Sequence, residues 1–164
     1  NFIAVNQRVE RCFIRVDADE VSYPAHVVLR YEIERALIDG EIEVEDIPAL
    51  WDEKMQQWLG LSTKDNFRNG CMQDIHWTDG AFGYFPSYTL GAMYAAQLFN
   101  AAKLALPQLE SDIAEGNFSA LFDWLRQNIW QHGSRFTTSE LITNATGEDL
   151  NPLYFRRHLE ARYL

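Results

Sequence analysis

The sequence predicts an all-α, multi-helix fold. Three observations carry that expectation. Apolar residues recur at i, i+3 and i+4 through most of the chain. Helix-stopping and helix-starting residues fall at the ends of those periodic runs. Alternating apolar and polar strand patterns are absent, apart from a short piece at Cys12 to Val16 that reads as extended.

The elements follow in order. Glu20 to Asp39 carries Val21, Ala25, Val28, Leu29, Ile33, Ala36 and Leu37 on helical spacing, and Gly40 follows as a C′ residue. Asp46 can cap a second helix through Leu50, Trp51, Met55 and Trp58 to Gly60. Residues 61–85 lose the rhythm. There Gly70, Gly80 and Gly83 alternate with Cys71, Gln73, Asp74, His76, Trp77, Phe82, Tyr84 and Phe85. Irregular stretches of that length inside a domain are often functional. Pro86 opens a third helix that continues to Ala105. It is apolar on nearly every side, so it is expected to be buried by several neighbours.

Gln108 to Glu115 reads as a short helix, and Asn117 can cap another from Phe118 to His132. Thr137 with Glu140 has the spacing of a capping box. Asn151-Pro152 pairs an N-cap with a proline at the first helical position, and a last helix runs to Tyr163. The total is six or seven helices, with no internal repeat and no linker. Residues 1–164 are therefore expected to act as one portion rather than as separate modules.

Composition narrows the function. The chain has 164 residues, 47% of them apolar, 23% charged and 13% aromatic, which is enough to build a sizeable core. A net charge of −10 repels phosphate, so nucleic acid is not expected as a partner. No apolar run reaches membrane-spanning length. Two cysteines, Cys12 and Cys71, make no disulfide framework and agree with a reduced, cytoplasmic setting.

Two segments could carry chemistry. In Ile14-Arg15-Val16-Asp17-Ala18-Asp19-Glu20, the acidic residues suit a helix start, where the dipole favours them. Arg15 fits that role poorly and could instead hold a carboxylate bidentately. Composition alone favours the helix start. In Gly70-Cys71-Met72-Gln73-Asp74-Ile75-His76-Trp77, a Gln, an Asp and a His fall within four residues. His76 could donate to a developing oxyanion with Asp74 orienting it, or the cluster could satisfy buried backbone groups. Tyr84 and Tyr88 flank Pro86 and could donate into a cleft or serve as core aromatics. The histidines His26, His76, His132 and His158 have no pair at HExxH spacing, so a complete zinc site on this chain is not expected.

Ile14-Arg15-x-x-Ala18-Asp19 and Gly70-x-x-Gln73-Asp74-x-His76-Trp77 resemble two signature motifs of the thermostable carboxypeptidase family of HExxH zinc metallocarboxypeptidases. The likeness extends through Tyr23 to Gly40, Phe82 to Gly91, and Thr146 to Tyr163. It implies a C-terminal portion of a larger helical peptidase, with the HExxH segment and the downstream glutamate ligand lying upstream of residue 1. It further implies a homodimeric enzyme that removes single residues from peptide C-termini, using zinc or another divalent metal bound outside this chain. By similarity, Arg15 is a candidate for the substrate carboxylate. His76 with Tyr84 or Tyr88 are candidates for oxyanion stabilisation, and Gln73 and Asp74 for orienting the loop at the substrate site. The chain alone would then be inactive. A zinc-free homologue and a non-catalytic acidic helical module are the competing readings. A pure scaffold has no need of the Gln73-Asp74-x-His76 loop.

Overall fold

The computed structural model describes residues 2–164, which divide into two units on either side of the step from Leu90 to Gly91. Among the described residues there are eight α-helices and no strand. Among these residues, no helix is long and apolar enough to cross a membrane.

The first unit begins with a short helix α1 (Phe2–Asn6), which carries no periodic signal in the sequence. The segment expected to be extended, Cys12 to Val16, instead leads into a 3-10 turn at Arg15–Asp17. It lacks a partner strand, and a side-chain amide takes that part. The Gln73 amide nitrogen donates to the Phe13 carbonyl at 3.0 Å, and its Oε1 accepts from the Arg15 backbone N–H at 2.9 Å. A strand ladder is thereby imitated for two residues and then stops.

Asp19 starts the next element, as an acidic helix-start residue should. Its Oδ1 accepts from the backbone N–H groups of Val21 and Ser22, and its Oδ2 from that of Glu10. Helix α2 (Tyr23–Ile38) follows, and Gly40 closes it in the left-handed region at φ +73. Helix α3 (Ile47–Leu59) ends at Gly60, also left-handed. Asp46 precedes α3 as expected, but its side chain accepts from Glu43 in the preceding 3-10 turn instead of capping α3 itself.

Leu29 and Ile33 of α2 and Trp51, Met55 and Leu59 of α3 form the core of this unit, none more than 2% exposed. Burying an aliphatic side chain of this size contributes about 1.5–3 kcal/mol. Phe13, Cys71 and Trp77 pack against the same cluster, so the irregular segment 61–85 lies on the α2–α3 core.

The second unit takes in most of α4 (Pro86–Ala105), then α5 (Leu109–Ala114), α6 (Ser119–Asn128), α7 (Thr138–Thr146) and α8 (Leu153–Tyr163). The Thr137–Glu140 capping box is formed in full. Asn117 accepts from the Ser119 N–H, and Asn151 from the Leu153 N–H. The helix expected over 118–132 breaks at Ile129 and resumes as a 3-10 turn at Trp130–His132. Next to the break, the Asn128 side chain donates to the Trp124 carbonyl at 2.8 Å and competes with the backbone for that acceptor. Gln97, 1% exposed, ties the α7–α8 connection to α4. Its amide nitrogen donates to Thr146, Glu148 and Asp149, and its oxygen accepts from the Asn151 N–H.

The expectation that α4 is buried all round is corrected. Only Gln97 and Ala102 of this helix are buried, while Leu90, Phe99 and Leu104 are exposed. An apolar surface on every side says that cover is needed; it does not say that the same 164 residues supply it.

Candidate active site

The site is built on one face of α2. His26, Arg30 and Glu34 follow each other at i, i+4 and i+8, and each is buried, at 0%, 0% and 4% exposure. Four residues are a little more than one turn, so these side chains stack as a polar column beside the apolar Leu29 and Ile33. A buried ionisable group must find a partner. Here the partners come from the two sequence motifs.

Arg30 reaches Asp74. Its Nε donates to Asp74 Oδ2 at 2.7 Å, and its Nη1 donates to the His26 carbonyl at 2.7 Å. Its Nη2 lies 2.6 Å from the same Asp74 oxygen as an ion-pair contact, out of line for a hydrogen bond of its own. Its guanidinium covers the Trp51 ring at 4.5 Å. Arg15 meets the other oxygen of Asp74. Its Nε and Nη2 donate to Oδ1 at 3.0 and 2.8 Å, and its Nη1 donates to the Tyr23 hydroxyl at 2.7 Å. One carboxylate thus holds two guanidiniums.

The electrostatics follow from that arrangement. Burial pushes the Asp74 carboxyl up, but Arg30 and Arg15 outweigh it and hold the group below the usual carboxylate range. Burial pulls Arg30 down to about 10 against the attraction of Asp74, and it therefore stays charged near neutrality. Burial also pulls His26 down to about 4, helped by the nearby Arg30 charge, so this imidazole is neutral. Its Nε2 lies 4.0 Å from the Cys12 sulfur. Burial raises the thiols of both Cys12 and Cys71, which makes each a poor nucleophile.

Gln73 is saturated. Besides its bonds to Phe13 and Arg15, its amide nitrogen donates to the Asn69 carbonyl at 2.9 Å. It pins the 70–77 loop to the Arg15 segment. Gly70 lets the chain fold tightly there, since a Cβ at this position would stand 2.9 Å from the Asn66 carbonyl oxygen.

His76 and Tyr88 come together. His76 Nε2 and the Tyr88 hydroxyl are 2.8 Å apart, with the donor set by the imidazole tautomer. Tyr84 packs with its ring 5.7 Å from His76 and 5.3 Å from Tyr88. It is half exposed, at 51%. Phe85 closes the other side of His76 at 4.4 Å. The Arg15 guanidinium lies 4.9 Å from the Tyr88 ring, so Arg15, His76 and Tyr88 share one locality. Burial raises the Tyr88 phenol above its ordinary value, against the pull of Arg15. The phenol is therefore a proton-bearing donor. Asp74 does not orient His76 by a hydrogen bond: Oδ1 is 3.9 Å from Nδ1, which is buried without a partner.

The sequence reading missed Tyr23, His26, Arg30 and Glu34. The signal was present, because polar residues at 26, 30 and 34 interrupt an otherwise apolar face.

A family model described as carboxypeptidase Taq (M32) metallopeptidase matches residues 1–163. The chain belongs to this family. It is 47% identical over 160 residues to thermostable carboxypeptidase 1 of Thermus thermophilus, covering 98% of this chain and 31% of that protein. It is 42% identical over 163 residues to carboxypeptidase 1 of Bacillus subtilis, covering 99% and 32%. Among solved structures, Trypanosoma cruzi metallocarboxypeptidase 1 superposes with a TM-score of 0.93 at 53% identity, covering 97% of this chain and 33% of that one. The chain thus spans about a third of the length of the M32 relatives it matches.

Members of a metallopeptidase family need a divalent metal, and the donors here do not fit one. Among the described residues, no group of three or more His, Cys, Asp or Glu is gathered to hold an ion. His26 faces Cys12, His76 is bonded to Tyr88, His132 packs on Phe136 and His158 stacks on Phe155. A zinc peptidase site takes three protein ligands converging on one point.

Proposed function

We propose that this chain is the C-terminal part of a metallocarboxypeptidase that hydrolyses the last peptide bond of a peptide. In this reading it contributes groups that hold the substrate and stabilise charge, while the metal, zinc or another divalent ion, is bound by residues outside it. The observation that carries the reading is the cluster of Arg15, His76 and Tyr88 in a chain of this family. Arg15 is 6% exposed and gives three of its five N–H groups to Asp74 and Tyr23, so the remaining two are those a substrate carboxylate would have to reach. Two parallel N–H groups on a guanidinium match a carboxylate, the group that distinguishes a peptide's C-terminus from its interior. Asp74 and Tyr23 hold the guanidinium in place, so little freedom is lost on binding.

Beside it, the Tyr88 phenol can donate to an oxyanion growing on the scissile carbonyl while its oxygen accepts from His76 Nε2, which holds the phenol in place. Tyr88 is favoured over Tyr84 because it is the phenol within hydrogen-bond distance of His76. Gln73 and Asp74 act on the loop and on Arg15 rather than on the substrate. The metal supplies Lewis-acid chemistry when bound. A homodimer in the cytoplasm, with no nucleic-acid partner, completes the reading.

The test is Arg15→Ala in the full-length polypeptide. It should lower kcat/KM for peptides with a free C-terminal carboxylate by about 2–5 kcal/mol of transition-state stabilisation. Equal losses on C-terminally amidated peptides would remove Arg15 from the substrate site.

A further inference from the structure

The geometry points to Glu34 as a positioning residue that sets the place of His76 and Tyr84 without touching the substrate. This rests on the peptidase reading above. Glu34 stands one turn beyond Arg30 on α2, about 6 Å along the helix axis at the usual rise. Its Oε2 accepts from the Trp77 indole N–H at 2.8 Å, and its Oε1 accepts from the Gly83 backbone N–H. Trp77 directly follows His76 in the chain, and Gly83 directly precedes Tyr84. The carboxylate therefore cross-links the two ends of the 77–83 loop at the residues next to two candidate site side chains.

The same helix face fixes the other side of His76. Arg30 holds Asp74, two residues before it. His76 is thus bracketed by two anchors on one rigid helix, spaced by a single helical turn. Between the anchors His76 bonds Tyr88 and packs on Phe85, but the rest of the loop is open. Thr78, Asp79 and Gly80 are exposed, and Ile75 is 68% exposed. Backbone turn bonds, such as Ala81 N–H to the His76 carbonyl at 2.8 Å, shape the loop locally without fixing it to the core. Trp77 does reach the core, meeting Trp51 edge-on at 6.3 Å and stacking on Phe82 at 6.5 Å. Phe85 also meets this indole near-perpendicularly at 5.9 Å, and the Glu34 bond to its nitrogen adds a directional tie to that packing. Gly83 adopts φ +78, which presents its N–H to Glu34 at the point where a side-chain-bearing residue would be strained.

The experiment uses the full-length polypeptide with Glu34→Leu, Glu34→Gln and Trp77→Phe. Displacing a catalytic donor by about 1 Å can cost on the order of a hundredfold in rate. Glu34→Leu is expected to lower kcat by about 10- to 100-fold with KM changed by no more than about twofold. Glu34→Gln should recover part of that loss, because its amide oxygen can still accept one of the two bonds while its NH2 faces the other N–H. Trp77→Phe should reproduce part of the loss, and combining it with Glu34→Gln should cost less than the sum. In all variants the imidazole nitrogen resonances of His76 should shift in step with kcat.

An unchanged kcat in Glu34→Leu together with unmoved His76 resonances would overturn the proposal. So would a fall of kcat with a raised KM and a lowered thermal midpoint, with Gln no better than Leu, which marks a purely structural role. Should Glu34→Leu not fold, Trp77→Phe decides by the same readouts. A wild-type polypeptide without carboxypeptidase activity would defeat the function proposed above, and the His76 resonances would still decide the positioning role.

Discussion

His26 should make the protein sensitive to mild acid. The side chain is fully buried, and burial together with the Arg30 charge pulls its pKa from 6.5 down to about 4. Arg15 adds to the depression, and Asp74 opposes it in part. In the unfolded chain the imidazole takes up a proton at its ordinary value, so between the two values the unfolded state binds more protons than the fold. Stability must then be present above the unfolded value and be lost as pH falls toward the folded one. The full window is the difference between 6.5 and about 4. At about 1.4 kcal/mol per pH unit this amounts to roughly 3 kcal/mol, of which about 2 kcal/mol is lost between about pH 7 and pH 5. His26→Gln removes the titration while keeping a polar side chain beside Cys12. Urea unfolding of the wild type and the variant, at about pH 7 and about pH 5, measures the difference directly. The wild type should lose about 2 kcal/mol more than the variant over that interval. Asp74, held low by its two arginines, adds its own loss only at lower pH and in both proteins alike. Parallel curves for the two proteins would refute the claim that buried, neutral His26 sets the acid sensitivity.

Tyr88→Phe in the full-length polypeptide should lower kcat by about 10²- to 10³-fold, the usual cost of one oxyanion donor, whereas Tyr84→Phe should stay within a few-fold in the same peptide assay. Gly70→Ala should destabilise by about 1–3 kcal/mol in chemical denaturation, since the new methyl would press on the Asn66 carbonyl and on Thr63. Elemental analysis of this chain prepared by itself, after dialysis, should find well below one zinc per chain. A tightly held equivalent would place the metal ligands on these residues after all.

Local chemistry made much of the helical scaffold legible in the sequence. Gly40 and Gly60 end α2 and α3 because a left-handed residue closes a helix most easily without a Cβ. Pro86 starts α4, and Thr137 and Glu140 cap α7, for reasons confined to a few neighbouring residues. The two motifs supplied the candidate site residues, and the adjacency of His76 and Tyr88 follows from their closeness to the Gly-rich turn and to Pro86. The tertiary structure decided what those residues touch. Arg15 and Asp74 are 59 positions apart, and Glu34 and Gly83 are 49 apart. No pattern within a helical turn encodes such pairings. They arise because a buried ionisable column on α2 has to find counter-charges and donors wherever the chain returns to it. The extended reading of Cys12 to Val16 holds at Ile14 and ends at the 3-10 turn for the same reason: what this backbone pairs with is the Gln73 side chain, which only folding brings near. Burial of α4 was misread because its apolar composition records a need for contact, while the identity of the covering residues belongs to whatever packs against it.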